Sequence, residues 1–203
     1  MAPDTQAGWS TQVRVDSITD SVKIAEAAGA TVFLASFDAA PAGKLAVLAD
    51  PGGAVIGLWE ALTREGAMRV NEAGAWAMST LSSADPVTSA AFYREAFGWT
   101  TETFSAGDIQ VSLFRLPGHV GGEPEQPVSR EVVAVMVPRS EGTVDSWTVD
   151  FWVADVDATV ALAEQLRGKV VRPVSDSPAG RSALLADPAG AVFSVTQAPG
   201  GRH

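Results

Sequence analysis

The chain has 203 residues, 46% of them apolar, a formal charge of -10 and no cysteine. That length buries one substantial core or two small ones, and the missing cysteines remove disulfides, zinc-thiolate sites and a cysteine nucleophile together. An acidic chain with no basic cluster repels phosphate backbones, which argues against nucleic acid and for a small neutral or cationic ligand. No apolar run approaches the ~18 residues of a membrane span, and the opening Met1-Ala2-Pro3-Asp4 lacks a basic and apolar leader, so the expected compartment is the cytoplasm and no membrane partner is expected.

Trp9 to Val15 alternates apolar and polar residues with the two-residue period of a strand. A helix follows from Thr19, with Val22, Ile24, Ala25 and Ala28 as its apolar positions and Gly29 placed to end it. Thr31 to Phe37, Lys44 to Ala49 and Ala54 to Trp59 read as three strands, so the first unit is βαβββ. Residues 62 to 74 form the expected linker. A second unit has its strand at Trp76 to Ser82, its helix at Pro86 to Phe97, and strands near Thr100 to Phe104, Ile109 to Leu116 and Glu131 to Pro138. Gly118 to Pro127, rich in glycine and proline, is a connector or a cover over a site. The third unit runs through strand Trp147 to Val153, a helix from Asp157 to Leu166 ended by Gly168, and strands near Lys169 to Val174, Ser182 to Ala186 and Ala191 to Thr196.

The first and third units are copies of each other. Gly43-Lys44-Leu45-Ala46-Val47-Leu48-Ala49-Asp50-Pro51-Gly52-Gly53-Ala54-Val55 returns 137 residues later as Gly180-Arg181-Ser182-Ala183-Leu184-Leu185-Ala186-Asp187-Pro188-Ala189-Gly190-Ala191-Val192. Upstream, after a one-residue slip, Val22 falls on Val160, Val15 on Val153 and Trp9 on Trp147. The period is far longer than the ~20 to 50 residues of stacked repeats, which marks a duplicated domain.

The segment Asp85-Pro86-Val87-Thr88-Ser89-Ala90-Ala91-Phe92-Tyr93-Arg94-Glu95-Ala96-Phe97-Gly98-Trp99 resembles the Phe-Tyr helix that opens modules of the vicinal oxygen chelate superfamily, and the Ala-Asp-Pro-x-Gly-Ala-Val segments at 49 to 55 and 186 to 192 resemble the turn before its last strand. That superfamily includes glyoxalases, bleomycin-resistance proteins, fosfomycin-modifying enzymes and extradiol dioxygenases. The resemblance implies an α+β fold of three βαβββ modules. On that resemblance residues 75–203, with modules 75–138 and 146–198, are expected to form one complete cupped barrel, and residues 1–61 an unpaired half barrel. In the two-domain members a Phe-Tyr unit pairs with an Asp-Pro-x-Gly unit, and the first unit here has no such partner before it. A bare apolar face and sheet edge are rarely tolerated. The expectation is therefore a homodimer through the unpaired module, or packing of the half barrel on the complete one.

The resemblance also implies a divalent metal, with ligands on the first and last strands of each unit. Those positions fall at Gln12, Thr80 and Asp150 on first strands and at Gly57 and Ser194 on last strands; the middle unit's last strand gives no clear match. Only Asp150 is a good ligand, with Gln12 a weak second candidate, whereas such ions need several convergent donors. His119, in the glycine-rich loop, and His203, the last residue, read as solvated side chains. No metal or other cofactor is expected, a divalent ion being the alternative.

Strand alternation then identifies the lining of the cup. Trp147, Val149, Phe151 and Val153 should pack on helices, leaving Thr148, Asp150 and Trp152 for the cup; the same register brings Trp76, Met78, Thr80 and Ser82 from the middle unit, and Val192, Ser194 and Thr196 from the last strand. Trp76, Met78, Thr80, Thr148, Asp150, Trp152 and Ser194 are the candidate ligand-binding residues. Tryptophan and methionine around a few hydroxyls suit a flat, partly apolar guest, although the same tryptophans also read as ordinary residues buried at an interface. A buried carboxylate needs a partner. For Asp150 the choices are an ion pair with Arg181 or Arg14, a cationic ligand, a weak metal, or service as a catalytic acid or base.

No phosphate-binding loop follows a strand, and no serine has a plausible histidine base. Tyr93 sits in an apolar helical stripe suited to packing. Two functions remain: a metal-free binder of an aromatic or polycyclic compound, of the bleomycin-resistance type, and a glyoxalase-type lyase, hydroxylase or dioxygenase-like enzyme using Asp150.

Overall fold

The computed structural model describes residues 7–106, 109–119, 131–177 and 180–198. Three βαβββ units follow one another: β1 (Gln12–Val15), α1 (Ile18–Ala27), β2 (Thr31–Asp38), β3 (Gly43–Ala49) and β4 (Val55–Ala61); then β5 (Trp76–Ser83), α2 (Pro86–Phe97), β6 (Thr100–Ala106), β7 (Ile109–Arg115) and β8 (Val132–Pro138); then β9 (Ser146–Val153), α3 (Val156–Gln165), β10 (Lys169–Ser177), β11 (Gly180–Ala186) and β12 (Val192–Gln197). Most of the Gly118 to Pro127 stretch, and His203, lie outside the described residues.

Each helix begins where a side chain replaces the missing backbone partners of its first turn. Ser17 caps α1 by accepting from Asp20 N–H. Asp85 caps α2, taking Val87 and Thr88 N–H with Pro86 in the first turn, and Asp155 caps α3. Gly98, at φ 70°, ends α2 in the left-handed conformation that glycine adopts without strain. At the end of α3 the expected stop is displaced by one residue. Arg167 takes the left-handed conformation at φ 67°, while Gly168 is needed for close approach, since a Cβ there would meet Ala186 O at 2.9 Å and Ala163 O at 3.0 Å.

The strands form two sheets. The first unit makes a four-stranded sheet in the order β1-β4-β3-β2, and the other two units join into one eight-stranded sheet, β10-β11-β12-β9-β5-β8-β7-β6. The junction is the antiparallel pair β5 and β9, where Met78 lies opposite Asp150 and Thr80 opposite Thr148. The eight strands form an open cup with edges at β10 and β6, rather than a closed barrel.

The helix-bearing faces of the first and second units share one core. Ile18, Val22 and Ala25 of α1 join Ile56 and Leu58 of β4 with Phe92, Tyr93 and Ala96 of α2 in a single buried cluster. The third unit keeps a smaller core of its own around Val156, Ala183, Leu185 and Val195. Packing of the half unit on the complete domain, one of the two expected arrangements, thus occurs within the chain. The other face of the four-stranded sheet stays open, with Phe33, Phe37 and Val55 exposed.

At the centre of the shared core a hydrogen-bond chain crosses all three units. Trp147 Nε1 donates to Tyr93 Oη at 2.8 Å, and Tyr93 Oη donates to Asp50 Oδ2 at 3.0 Å. Asp50 Oδ1 accepts Ala54 N–H at 2.9 Å, holding the Asp-Pro-Gly-Gly turn. Tyr93 is fully buried, stacked on Trp99 at 5.4 Å and edge-on to Trp147 at 5.5 Å. Gly52 lies so close to Asp145 that a Cβ would meet its Oδ2. Asp145 in turn accepts Ala84 N–H and pairs with Arg139 at 3.3 Å.

Removing the phenol oxygen leaves a buried carboxylate oxygen and an indole N–H without partners, a loss of about 1 to 3 kcal/mol. Urea unfolding of Tyr93→Phe is expected to show a destabilisation in that range. A loss below about 0.5 kcal/mol, the level of an ordinary surface change, would remove Tyr93 from its role in the seam.

Candidate active site in the cup

The open face of the eight-stranded sheet is read directly from register. Asp150 lies opposite Met78 on β5 and beside Ser194 on β12, Thr148 opposite Thr80, and Trp152 beside Thr196. Met78, Thr80, Thr148, Asp150, Trp152 and Ser194 therefore share one face at the sheet's centre, all partly buried. Their neighbours Ala77, Ser79, Leu81, Trp147 and Val149 turn to the helix side and are buried.

Trp76 does not join them. A register shift between Trp76 and Met78 breaks the alternation, as bulges do. The indole Nε1 donates to Ser79 Oγ at 3.3 Å, the same oxygen that accepts the Thr11 hydroxyl at 2.9 Å. Trp76 is thus part of the seam with the first unit. Trp9, expected in the first strand, precedes β1 and packs edge-on against Phe151 at 5.1 Å and Phe193 at 5.9 Å. Trp59 lies in the other sheet, with its indole N–H on Arg64 O.

Asp150 is held by a hydroxyl rather than by a cation. Thr196 Oγ1 donates to its Oδ1 at 2.9 Å, while Ser194, beside it on β12, gives its hydroxyl to Ala183 O at 3.4 Å. Neither arginine considered as its partner is available: Arg14 pairs with Glu65, and Arg181 with Asp157 and Asp176, both at 3.0 Å. The ion pair expected from sequence is therefore replaced by a neutral donor, which lies on the neighbouring parallel strand and needed the β9–β12 register to be seen. Burial pushes the Asp150 carboxyl above the ordinary aspartate value, and the neighbouring Ser194 and Thr196 hydroxyls only partly oppose that. A carboxyl so raised is a competent acid or base in a cleft.

The metal implied by resemblance can be tested against the same register. Thr80 pairs with Val135 as Asp150 pairs with Ser194 and Gln12 with Gly57. The ligand positions of the cup are therefore Thr80, Val135, Asp150 and Ser194: one carboxylate, two hydroxyls and a hydrocarbon. Gln12 belongs to the other sheet. Among the described residues no group of three or more His, Cys, Asp or Glu side chains is disposed to hold a metal ion, and His119 is exposed. This donor set does not fit a divalent ion.

Two grooves lie on the helix side. One of about 440 Å³ follows the seam between Asp16, Asp20 and the end of α2 at Phe97. The other, about 760 Å³, runs between α2 and the outer face of β6, β7 and β8, past Arg94 and Ser112.

A glyoxalase-like domain model matches residues 78–196, spanning both units of the cup. The chain belongs to the glyoxalase-like domain family. A Mycobacterium tuberculosis protein named as a glyoxylase, CFP32, is 35% identical over 190 residues, covering 92% of this chain and 68% of its own length. The anthracycline biosynthesis protein DauV of Streptomyces sp. (strain C5) is 31% identical over 193 residues, covering 93% of this chain and 65% of its own. This glyoxalase-like chain thus spans about two thirds of those relatives. The Mn(II)-bound glyoxalase of Novosphingobium aromaticivorans shares the fold, with a TM-score of 0.55 at 17% identity over 92% of this chain and 61% of that one. No helix of this family member, among the described residues, is long and apolar enough to cross a membrane.

A carboxyl whose value is raised by folding stabilises the fold while protonated. That contribution is complete below the unfolded aspartate value of about 3.9 and is lost as pH rises through the raised folded value. Asp150→Asn keeps an oxygen to accept the Thr196 hydroxyl and removes the charge. It is expected to gain about 1 kcal/mol at pH 7 and to flatten the fall in stability above pH 4. Urea midpoints measured across pH 4 to 8 test this, and an unchanged pH profile would refute the buried-carboxyl assignment.

Proposed function

We propose that this protein binds a small aromatic or polycyclic compound in the cup without a divalent metal, stacking it on Trp152 and orienting it with Asp150. The observation that carries this reading is the composition of the face where Asp150 meets Trp152, Met78, Thr80, Thr148 and Ser194. An indole and a thioether supply dispersion to a flat guest. The carboxyl and the hydroxyls supply directional contacts to its polar rim. The naming of two relatives as anthracycline biosynthesis proteins supports a polycyclic guest.

The raised carboxyl favours one second reading, acid-base catalysis on the bound guest. Asp150 would move a proton between its carboxyl and an oxygen or an acidic carbon of the ligand, with the Thr196 hydroxyl steadying the ionised form.

An anthracycline aglycone is a suitable probe. It is expected to quench tryptophan fluorescence saturably in the native chain. Trp152→Ala should weaken binding about tenfold or more, from the loss of about 1.4 kcal/mol or more of stacking, with circular dichroism unchanged. Equal affinity of the variant would move the guest out of the cup. Metal analysis of the purified chain completes the test, and stoichiometric divalent metal would overturn the metal-free reading. Slow conversion of a bound guest that is abolished in Asp150→Asn would favour the catalytic reading.

A further inference from the structure

We propose that the β10 wall of the cup, through Arg172 and Lys169, selects a guest that carries a carboxylate at one end of its ring system. The wall discriminates among guests of the kind proposed above for the cup, and so depends on that reading while narrowing it to aromatic acids.

Register places both cations. Arg172 lies opposite Leu184, Leu184 opposite Ser194, Ser194 beside Asp150 and Asp150 opposite Met78, so one row of residues runs from the outermost strand to the floor of the cup. Lys169 pairs with Ala186, two residues along β11 from Leu184, and shares its face. Ser175 lies opposite Ser182, in the row that ends at Trp152. Register shifts on either side of Arg172 keep it with the cup, while Val170 and Val174 turn to the core of the third unit.

These cations are uncommitted. Both are exposed, and neither has a hydrogen bond or ion pair among the described residues. Arg181, on the helix side of the next strand, is by contrast held by Asp157 and Asp176. On the far wall Glu102 stands in the row of Leu113, Val135, Thr80 and Thr148. Arg115 already neutralises it at 2.7 Å, so it makes no demand on β10.

The first copy of the repeat shows that the scaffold does not require charge here. Strand β2 has the same shifts against β3, and Thr31, Leu34 and Phe37 occupy the places of Lys169, Arg172 and Ser175. Both β2 and β10 are outermost strands. Protection of an exposed edge by charge would apply to both, yet β2 carries none at these three positions. In a chain of net charge -10, two free cations on one concave face reverse the local field and attract an anion that the molecule as a whole repels.

The planar fork of Arg172 matches the two oxygens of a carboxylate, and Lys169 adds a point charge beside it. Three strand spacings, roughly 14 Å along the sheet, separate Arg172 from Asp150. A fused ring system resting on Trp152 and Met78 can therefore set its acid against β10 and its other end toward the apolar wall of Phe104, Val111, Leu113 and Val135. Burial makes the Asp150 carboxyl easier to keep protonated, so it opposes an anion in the cup less than an ordinary aspartate would.

An anthraquinone carboxylate and the corresponding primary carboxamide, alike in size and unlike in charge, are the probes, read by quenching of tryptophan fluorescence. The acid is expected to bind about fivefold or more tightly than the amide at low ionic strength. That preference should shrink toward unity in about 1 M salt, where screening acts within about 3 Å. Lys169→Thr combined with Arg172→Leu installs the residues of the first copy. The double variant should lose the preference, keep its affinity for the amide within about twofold and leave circular dichroism unchanged. Equal affinity of the native chain for both probes, or a preference that survives the double variant, overturns the anion-selecting wall and leaves the cup reading standing, since both probes still bind. Failure of both probes to bind overturns the cup reading, and the wall's role with it.

Discussion

A carboxylate buried between two sheets is the constraint around which the rest of this molecule is arranged. Asp50 is 3% exposed, and burial raises its carboxyl against the pull of the hydrogen bonds from Ala54 and Tyr93. An unpaired group there would be costly to bury. The cost is offset because one oxygen closes the Asp-Pro-Gly-Gly turn and the other receives the phenol of a different unit. Tyr93 therefore has to lie under α1, Trp147 has to face it from β9, and the three units are fixed relative to one another by a single line of donors and acceptors. The aromatic pairs around Tyr93 add about 0.5 to 1.5 kcal/mol each beyond area burial, but it is the polar line that specifies the registry.

That arrangement separates stability from the cup. The seam uses the helix-bearing face of β5 and β9, and alternation leaves Met78, Thr80, Thr148, Asp150 and Trp152 for the opposite face of the same strands. Substitution on one face leaves the other largely free to change. A superfold that hosts unrelated chemistries needs such independence, and here the positions that resemblance assigns to metal ligands hold threonine, valine, aspartate and serine.

Much of this architecture was legible in the sequence, because periodicity and the repeated Asp-Pro turn are local signals. The helix at Pro86 to Phe97 begins and ends as its capping residues dictate. The cup face of β9 follows from alternation alone. What escaped depended on contacts between strands far apart in the chain. The bulge that turns Trp76 away has no composition signal, since Trp76-Ala77-Met78-Ser79 reads as uninterrupted strand. The partner of Asp150 is a threonine on a parallel neighbour, whereas charge pairing by residue type suggested arginines that the fold commits elsewhere. Tyr93 looked like one more residue of an apolar stripe; only the placement of Asp50 beneath it shows its hydroxyl at work. The slip from Gly168 to Arg167 has the same origin, a close approach to β11 that outranks turn preference.

On the proposed reading, the bulge at Trp76 bears on the kind of guest the cup would take. With one indole withdrawn to the seam, a planar molecule would find an aromatic wall on a single side, and its other surface would meet methionine, hydroxyls or solvent. A slot between two parallel walls measures thickness; a lone wall does not. Discrimination among candidates would then pass from the width of their ring systems to the pattern of oxygen and hydrogen along their edges, which is where a protonatable carboxyl and the threonine alcohol bonded to it stand.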